Sequence, residues 1–173
     1  MTGTGRPARR LSNEQVIVLQ DPDDAAFAPF GEFVKPPAVS ERRAFYSAHF
    51  DPRPETAAPV VHVNRVAPSV LPLVCAGVER HPHAAQCFVP MDVSRYVVMV
   101  MPSDENGDPV PAAAQGFLVP GNRGVIFRPM VWHMGACVLD RDGNFVVMMW
   151  RGGPGADDEF RSIPPVTLME PGA

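Results

Sequence analysis

Proline restricts this chain more than any other residue. There are 21 prolines and 14 glycines among 173 residues. Proline fixes φ and has no N–H to donate, so it is excluded from helix interiors and central strands. A chain interrupted this often is left with short strands and many turns, which points to an all-β sandwich or barrel over a helical bundle. Hydrophobic residues make up 46%. That content and length allow one domain with a proper core and argue against compositional disorder.

The hydrophobic pattern places the strands. Gln15 to Gln20 (QVIVLQ) is rich in β-branched residues, and Val60 to Val66 (VVHVNRV) alternates in part. Tyr96 to Met101 (YVVMVM) and Phe145 to Trp150 (FVVMMW) are continuous apolar runs, expected to be buried on both faces. Gly116 to Val119 and Gly124 to Phe127 are further short strands. Asp23 to Phe30 reads as a short helix, acidic at its start, with Gly31 just past its end. Asn106-Gly107 and Asp142-Gly143 are hairpin-type turn signals. Pro36 to Glu55 reads as a surface excursion without an assigned element. Residues 1–13 are expected to form a flexible tail and 14–173 a single domain, since no repeat or linker divides them.

The formal net charge is −4, and no long basic run exists. Neutralising phosphates takes clustered Lys and Arg, so nucleic acid is excluded as a partner. The densest basic stretch, Arg6, Arg9 and Arg10, lies in the expected tail. No apolar stretch is long enough to span a bilayer, and the first residues lack a secretory h-region. Cys75, Cys87 and Cys137 are an odd number without paired spacing, and read as free, buried thiols of a reducing compartment. A cytoplasmic location is expected.

Chemistry concentrates in two segments. Glu79 to Met91, ERHPHAAQCFVPM, packs Glu79, Arg80, His81, His83 and Gln86 beside strongly apolar sequence. On an extended chain Glu79, His81 and His83 share one face, although Pro82 marks the strand as edge or irregular. Arg128 to Gly135, RPMVWHMG, places His133 directly after Trp132. His81, His83, Gln86 and His133 are candidate ligands for a divalent metal, through neutral imidazole nitrogens. The competing reading makes each histidine an ordinary core or surface residue. Asn64, Arg65 and Arg151 form a third set. An arginine fork matches a carboxylate, and its competing reading is a surface ion pair.

In order along the chain, these segments resemble the ureidoglycolate lyase family, also called ureidoglycolate hydrolase, from about Val16 to Pro164. VNRVAP resembles its Asn-Arg-Ala region, and ERHPHAAQCFVPM its Glu-Arg-His-Pro-x-x-x-Gln-x-Phe-x-Pro motif. Trp132-His133 resembles its Trp-His pair, and Arg151-Gly152-Gly153 its late Arg-Gly-Gly. The resemblance implies a cupin-like β-barrel (double-stranded β-helix) with a few short helices, a homodimer, and a small-molecule substrate of purine-nitrogen catabolism. It implies cleavage of ureidoglycolate to glyoxylate and urea, with a divalent ion such as nickel as the cofactor it suggests. On that reading Glu79, His81 or His133 moves protons, Arg65 or Arg151 holds the carboxylate, and Asn64 and Gln86 contact the ureido group. The chain departs from the family at Met134, Gly135, Trp150 and His83. Two alternatives therefore stand beside the main reading: a related lyase or hydrolase for another ureido or α-hydroxy acid, and a non-catalytic cupin that binds a small acid.

Overall fold

The computed structural model describes residues 15–153 and 155–172, so the tail expected over 1–13 lies outside the described residues. The described chain is nearly all β, as expected. In order come β1 (Gln15–Val18), α1 (Asp24–Phe27), β2 (Gly31–Val34), β3 (Ala58–Val66), β4 (Pro68–Ser69), β5 (Leu73–Arg80), β6 (Gln86–Pro90) and β7 (Arg95–Met101). Then follow β8 (Gln115–Pro120), β9 (Gly124–Phe127), β10 (Trp132–His133), β11 (Cys137–Leu139), β12 (Gly143–Arg151) and β13 (Glu159–Met169). The 36–55 segment carries a single 3-10 turn, Ser47–Phe50.

The strands form two sheets. The smaller runs β2-β9-β6-β12-β3. The larger runs β1-β13-β5-β10-β7-β11-β4, with β8 on the free edge of β7. Its two ends also meet: Gln20, just beyond β1, bridges Phe117 of β8 in parallel. The larger sheet thus curls around Leu19, Met99, Met101, Trp132 and Leu168. A second apolar layer, rich in phenylalanine, lies between the sheets. The result is a two-sheet barrel of the cupin type.

Local chemistry explains most boundaries. The Asp23 carboxylate accepts from the Ala26 N–H at 2.8 Å and caps α1. The helix is shorter than Asp23–Phe30, and Gly31 opens β2 where it was expected to end the helix. A Cβ at Gly31 would lie 1.8 Å from the Ile126 carbonyl oxygen, so glycine is needed for β2 to reach β9. Strand β7 is buried on both faces, as expected. Strand β12 is not: Val146, Met148 and Trp150 are only half-buried, because its outer face is covered only in part. Asn106-Gly107 lies in the turn between the antiparallel strands β7 and β8. Asp142-Gly143 does not close a hairpin, since β11 and β12 belong to different sheets. All three cysteines are free and buried.

Phe27 anchors the inner layer. Its fully buried ring stacks on Phe33 at 4.3 Å and meets Phe117 edge-on at 5.5 Å. Phe27→Ala is expected to cost about 3–5 kcal/mol, read as a lower urea midpoint with an unchanged slope.

Candidate active site

Strands place one residue set toward the inner layer and its chain neighbours on the opposite face. Glu79 of β5 pairs in register with His133 of β10 and with Phe160 of β13. The alternate residues Arg80, Trp132 and Glu159 face the other way. Arg80 lies 4.3 Å over the Trp132 ring, donates to Glu159 Oε2 at 2.7 Å and to the Gly107 carbonyl at 2.7 Å. The Trp132 indole donates to the same carbonyl at 3.0 Å. Arg80 and Trp132 are chain neighbours of residues in the cluster described next, and Glu159 is the chain neighbour of Asp158.

On the inner face stand Glu79, His81, His133 and Gln86. His133 is 1% exposed, and its ring stacks on Phe127 at 4.1 Å. Its Nδ1 donates to the Val131 carbonyl at 2.9 Å. Its Nε2 lies 3.0 Å from Gln86 Oε1 and 3.6 Å from Glu79 Oε1. His81 sits just beyond β5, buried, with its ring 5.5 Å from that of His133. Its Nδ1 donates to the Asp157 carbonyl at 2.8 Å and lies 3.1 Å from Asp158 Oδ1. The Nε2 of His81 is buried and has no hydrogen-bond partner. Ligand atoms of Glu79, His81 and His133 all lie within 4.8 Å of one another.

Arg151 ends β12 on the same side as Met149. Gly152 follows at φ +113°, a conformation that favours glycine, and turns the chain away. Both terminal nitrogens of Arg151 donate to Asp158, each at 2.7 Å. These bonds hold the Asp158 carboxyl below the usual carboxylate range. The Glu79 carboxyl is held low too, first by the His133 ring nitrogen beside it, against the opposing effect of burial.

The structure therefore brings Glu79, His81, His133 and Gln86 together, with Arg151 joined to them through Asp158. His81 and His133 face the same space, as the cupin arrangement predicts. The expected metal set changes. Strand β5 ends at Arg80 and Pro82 follows, so the His-x-His spacing does not run along one strand. His83 is exposed, and Glu79 joins His81 and His133 in its place. Gln86 holds His133. Asn64 and Arg65 are elsewhere. They pair with Phe145 and Asn144 at the far end of β12, roughly 20 Å along the strand from Arg151. Arg65 is exposed and donates to Asp142 at 2.6 Å, so the surface-ion-pair reading holds for it. Asp157 and Asp158 were missed: an acidic pair after a glycine-rich turn reads as a solvated loop, and nothing local shows that it folds back on His81.

The family model described as ureidoglycolate lyase matches residues 14–168. The chain belongs to the ureidoglycolate lyase family. A ureidoglycolate lyase of Burkholderia cepacia is 36% identical, over 83% of this chain and 84% of that protein. One of Rhizobium etli is 33% identical, over 84% and 91%. A solved dTDP sugar isomerase from Desulfovibrio desulfuricans is 19% identical, with a TM-score of 0.44 over 78% of this chain and 83% of that one.

The departures from the ureidoglycolate lyase pattern now have places. Trp150 points outward and packs on Phe50 at 4.8 Å, away from the cluster. Met134 packs against the core inside the larger sheet. Gly135 adjoins the site: a Cβ there would lie 3.9 Å from Glu79 Oε1, and both residues line a cleft of about 420 Å³.

Glu79 sets a pH expectation. A carboxyl with a lowered folded pKa stabilises the fold above its ordinary value of 4.5 and loses that contribution as pH falls through the folded value. The stability gap between wild type and Glu79→Gln should be full near neutrality and shrink on acidification, as denaturant titrations across pH would measure.

Proposed function

We propose that this protein is a ureidoglycolate lyase that splits ureidoglycolate into glyoxylate and urea, an amidine-lyase type of reaction in purine-nitrogen catabolism. The observation that carries this is the unpartnered His81 Nε2, buried beside Glu79 and His133 with a guanidinium nearby. In ureidoglycolate one carbon bears a hydroxyl, a carboxylate and a ureido nitrogen. His81 Nε2 has a free lone pair, because Nδ1 is spent on the Asp157 carbonyl, and it takes the hydroxyl proton. The oxygen's electron pair forms the glyoxylate carbonyl as the C–N bond breaks. The departing nitrogen takes a proton from the His133–Glu79 pair and leaves as urea. His81 then returns the proton it took, through solvent, to the His133–Glu79 pair, so the net change is one proton moved from oxygen to nitrogen and no oxidant is needed. Arg151 attracts the substrate carboxylate, and Gln86 orients His133.

The same residues fit a metal. Both imidazoles are aimed by Nδ1 bonds to backbone carbonyls, as ligating histidines commonly are, and Glu79 completes a two-histidine, one-carboxylate set. A divalent ion such as nickel held by Glu79, His81 and His133 would act as Lewis acid on the substrate hydroxyl, in place of the free base.

A homodimer in the cytoplasm is the setting we favour. Val16 and Val74, both more than half exposed, flank Thr167 in one row across β1, β13 and β5, an apolar strip that a second copy would cover. Among the described residues no helix is long and apolar enough to cross a membrane. The open space beside Gly135 favours one second reading, a related lyase or hydrolase for a bulkier ureido or α-hydroxy acid. A substrate panel separates the two.

Purified protein given racemic ureidoglycolate should release glyoxylate and urea in equal amounts, and stoichiometric ammonia instead would overturn the reading. Arg151→Ala should raise the Michaelis constant by about ten- to a hundredfold, the worth of a charge-assisted bond, with little change in melting temperature. A normal Michaelis constant in that variant would remove Arg151 from the site.

A further inference from the structure

The end of the Arg151 fork is already full. Asp158 Oδ2 accepts from Nη1 and Oδ1 from Nη2, both at 2.7 Å. This is the two-bond geometry by which an arginine grips a carboxylate ligand. A substrate carboxylate and Asp158 cannot hold the same end of the fork together. The Asp158 side chain is 42% exposed, so it can turn without repacking the core. The neighbouring backbone is held, because His81 donates to the Asp157 carbonyl and the His83 N–H donates to Asp157 Oδ1 at 2.8 Å. A displaced Asp158 keeps a partner within reach, since Oδ1 already lies 3.1 Å from His81 Nδ1, whose single proton it shares with the Asp157 carbonyl.

We propose that Asp158 is a positioning residue with two stations: it fills the Arg151 fork in the empty site, gives the fork up to the substrate carboxylate, and then bonds His81 Nδ1 alone. The inference rests on the reading of Arg151 as the carboxylate grip. Occupying the grip and strengthening the hold on the His81 ring, already aimed by the Asp157 carbonyl, become one event. A neutral analogue of the substrate cannot displace Asp158, so the site selects for a carboxylate by exchange as well as by attraction. Glu79 and Asp157, the other carboxylates near His81, make no hydrogen bond to Arg151 and cannot substitute in this exchange.

Calorimetric titration of sodium glyoxylate into full-length wild type, Asp158→Ala, Asp158→Asn and Arg151→Ala tests this, alongside ureidoglycolate kinetics. Removing an internal competitor from a half-exposed pair should tighten glyoxylate binding by about two- to fivefold in Asp158→Ala. Asp158→Asn, which keeps the side-chain shape, should shift the same way. In both variants kcat should fall while KM falls or holds, because His81 loses its second acceptor. If glyoxylate binds more weakly to both Asp158 variants and not at all to Arg151→Ala, Asp158 is a fixed brace and the exchange is wrong. If Arg151→Ala binds glyoxylate normally, the grip itself is wrong and the exchange falls with it.

Discussion

Arg80 over Trp132 is the contact on which the site geometry depends. A guanidinium this buried is costly unless its charge and its donors are met. Here Glu159 meets the charge, Gly107 takes a donor, and the indole face supplies a surface that also attracts a cation. Three strands and the turn after β7 are joined at that point. β5, β10 and β13 therefore hold one register, and that register places Glu79 directly opposite His133.

The alternation of a β-strand turns this anchoring into chemistry. One step along the chain from Arg80 lie Glu79 and His81, one step from Trp132 lies His133, and one step from Glu159 lies Asp158. A residue on one face of a strand cannot shift without carrying its neighbours on the other. The face toward the larger sheet's own core thus fixes positions on the inner face, where side chains must stay free to meet a ligand. Rigid support behind and open valences in front is what a site needs in order to hold its groups to a fraction of an ångström.

How much of this was legible depended on range. β7 and the inner face of β12 can be read because apolar runs report burial locally. The half-exposed outer face of β12 could not, because cover by Phe50 and the 3-10 turn is a tertiary matter. Closure of the larger sheet through Gln20 and Phe117 is a parallel pairing nearly a hundred residues apart, and it leaves no local trace. Within the site, Glu79, His81, Gln86 and His133 were legible through motif order. His83 misleads because strand spacing continued through Pro82 would set it beside Glu79 and His81, whereas β5 ends at Arg80. Asn64 and Arg65 misled because composition does not say which end of a nine-residue strand faces the site. Asp157 and Asp158 were invisible because their role comes from a turn that brings them back over His81.

What remains is a question of unspent bonding capacity. The Nδ1 of His133 is committed to a backbone carbonyl, so both ring nitrogens face acceptors: Val131 on one side, Gln86 and Glu79 on the other. A neutral imidazole can donate only once. Either Nε2 also carries a proton, paired with the Glu79 carboxylate, or the Gln86 amide presents its nitrogen. His81 is the complement: its Nδ1 is spent and its Nε2 is a buried acceptor with nothing to accept from. The two rings thus stand 5.5 Å apart with different demands: His133 has a neighbour at each nitrogen, and His81 has one nitrogen with none. A buried acceptor left unsatisfied costs about 1–3 kcal/mol, which the anchoring behind it must offset. A group that arrives with a proton to donate would relieve that cost, and in the reaction proposed above the substrate hydroxyl is such a group.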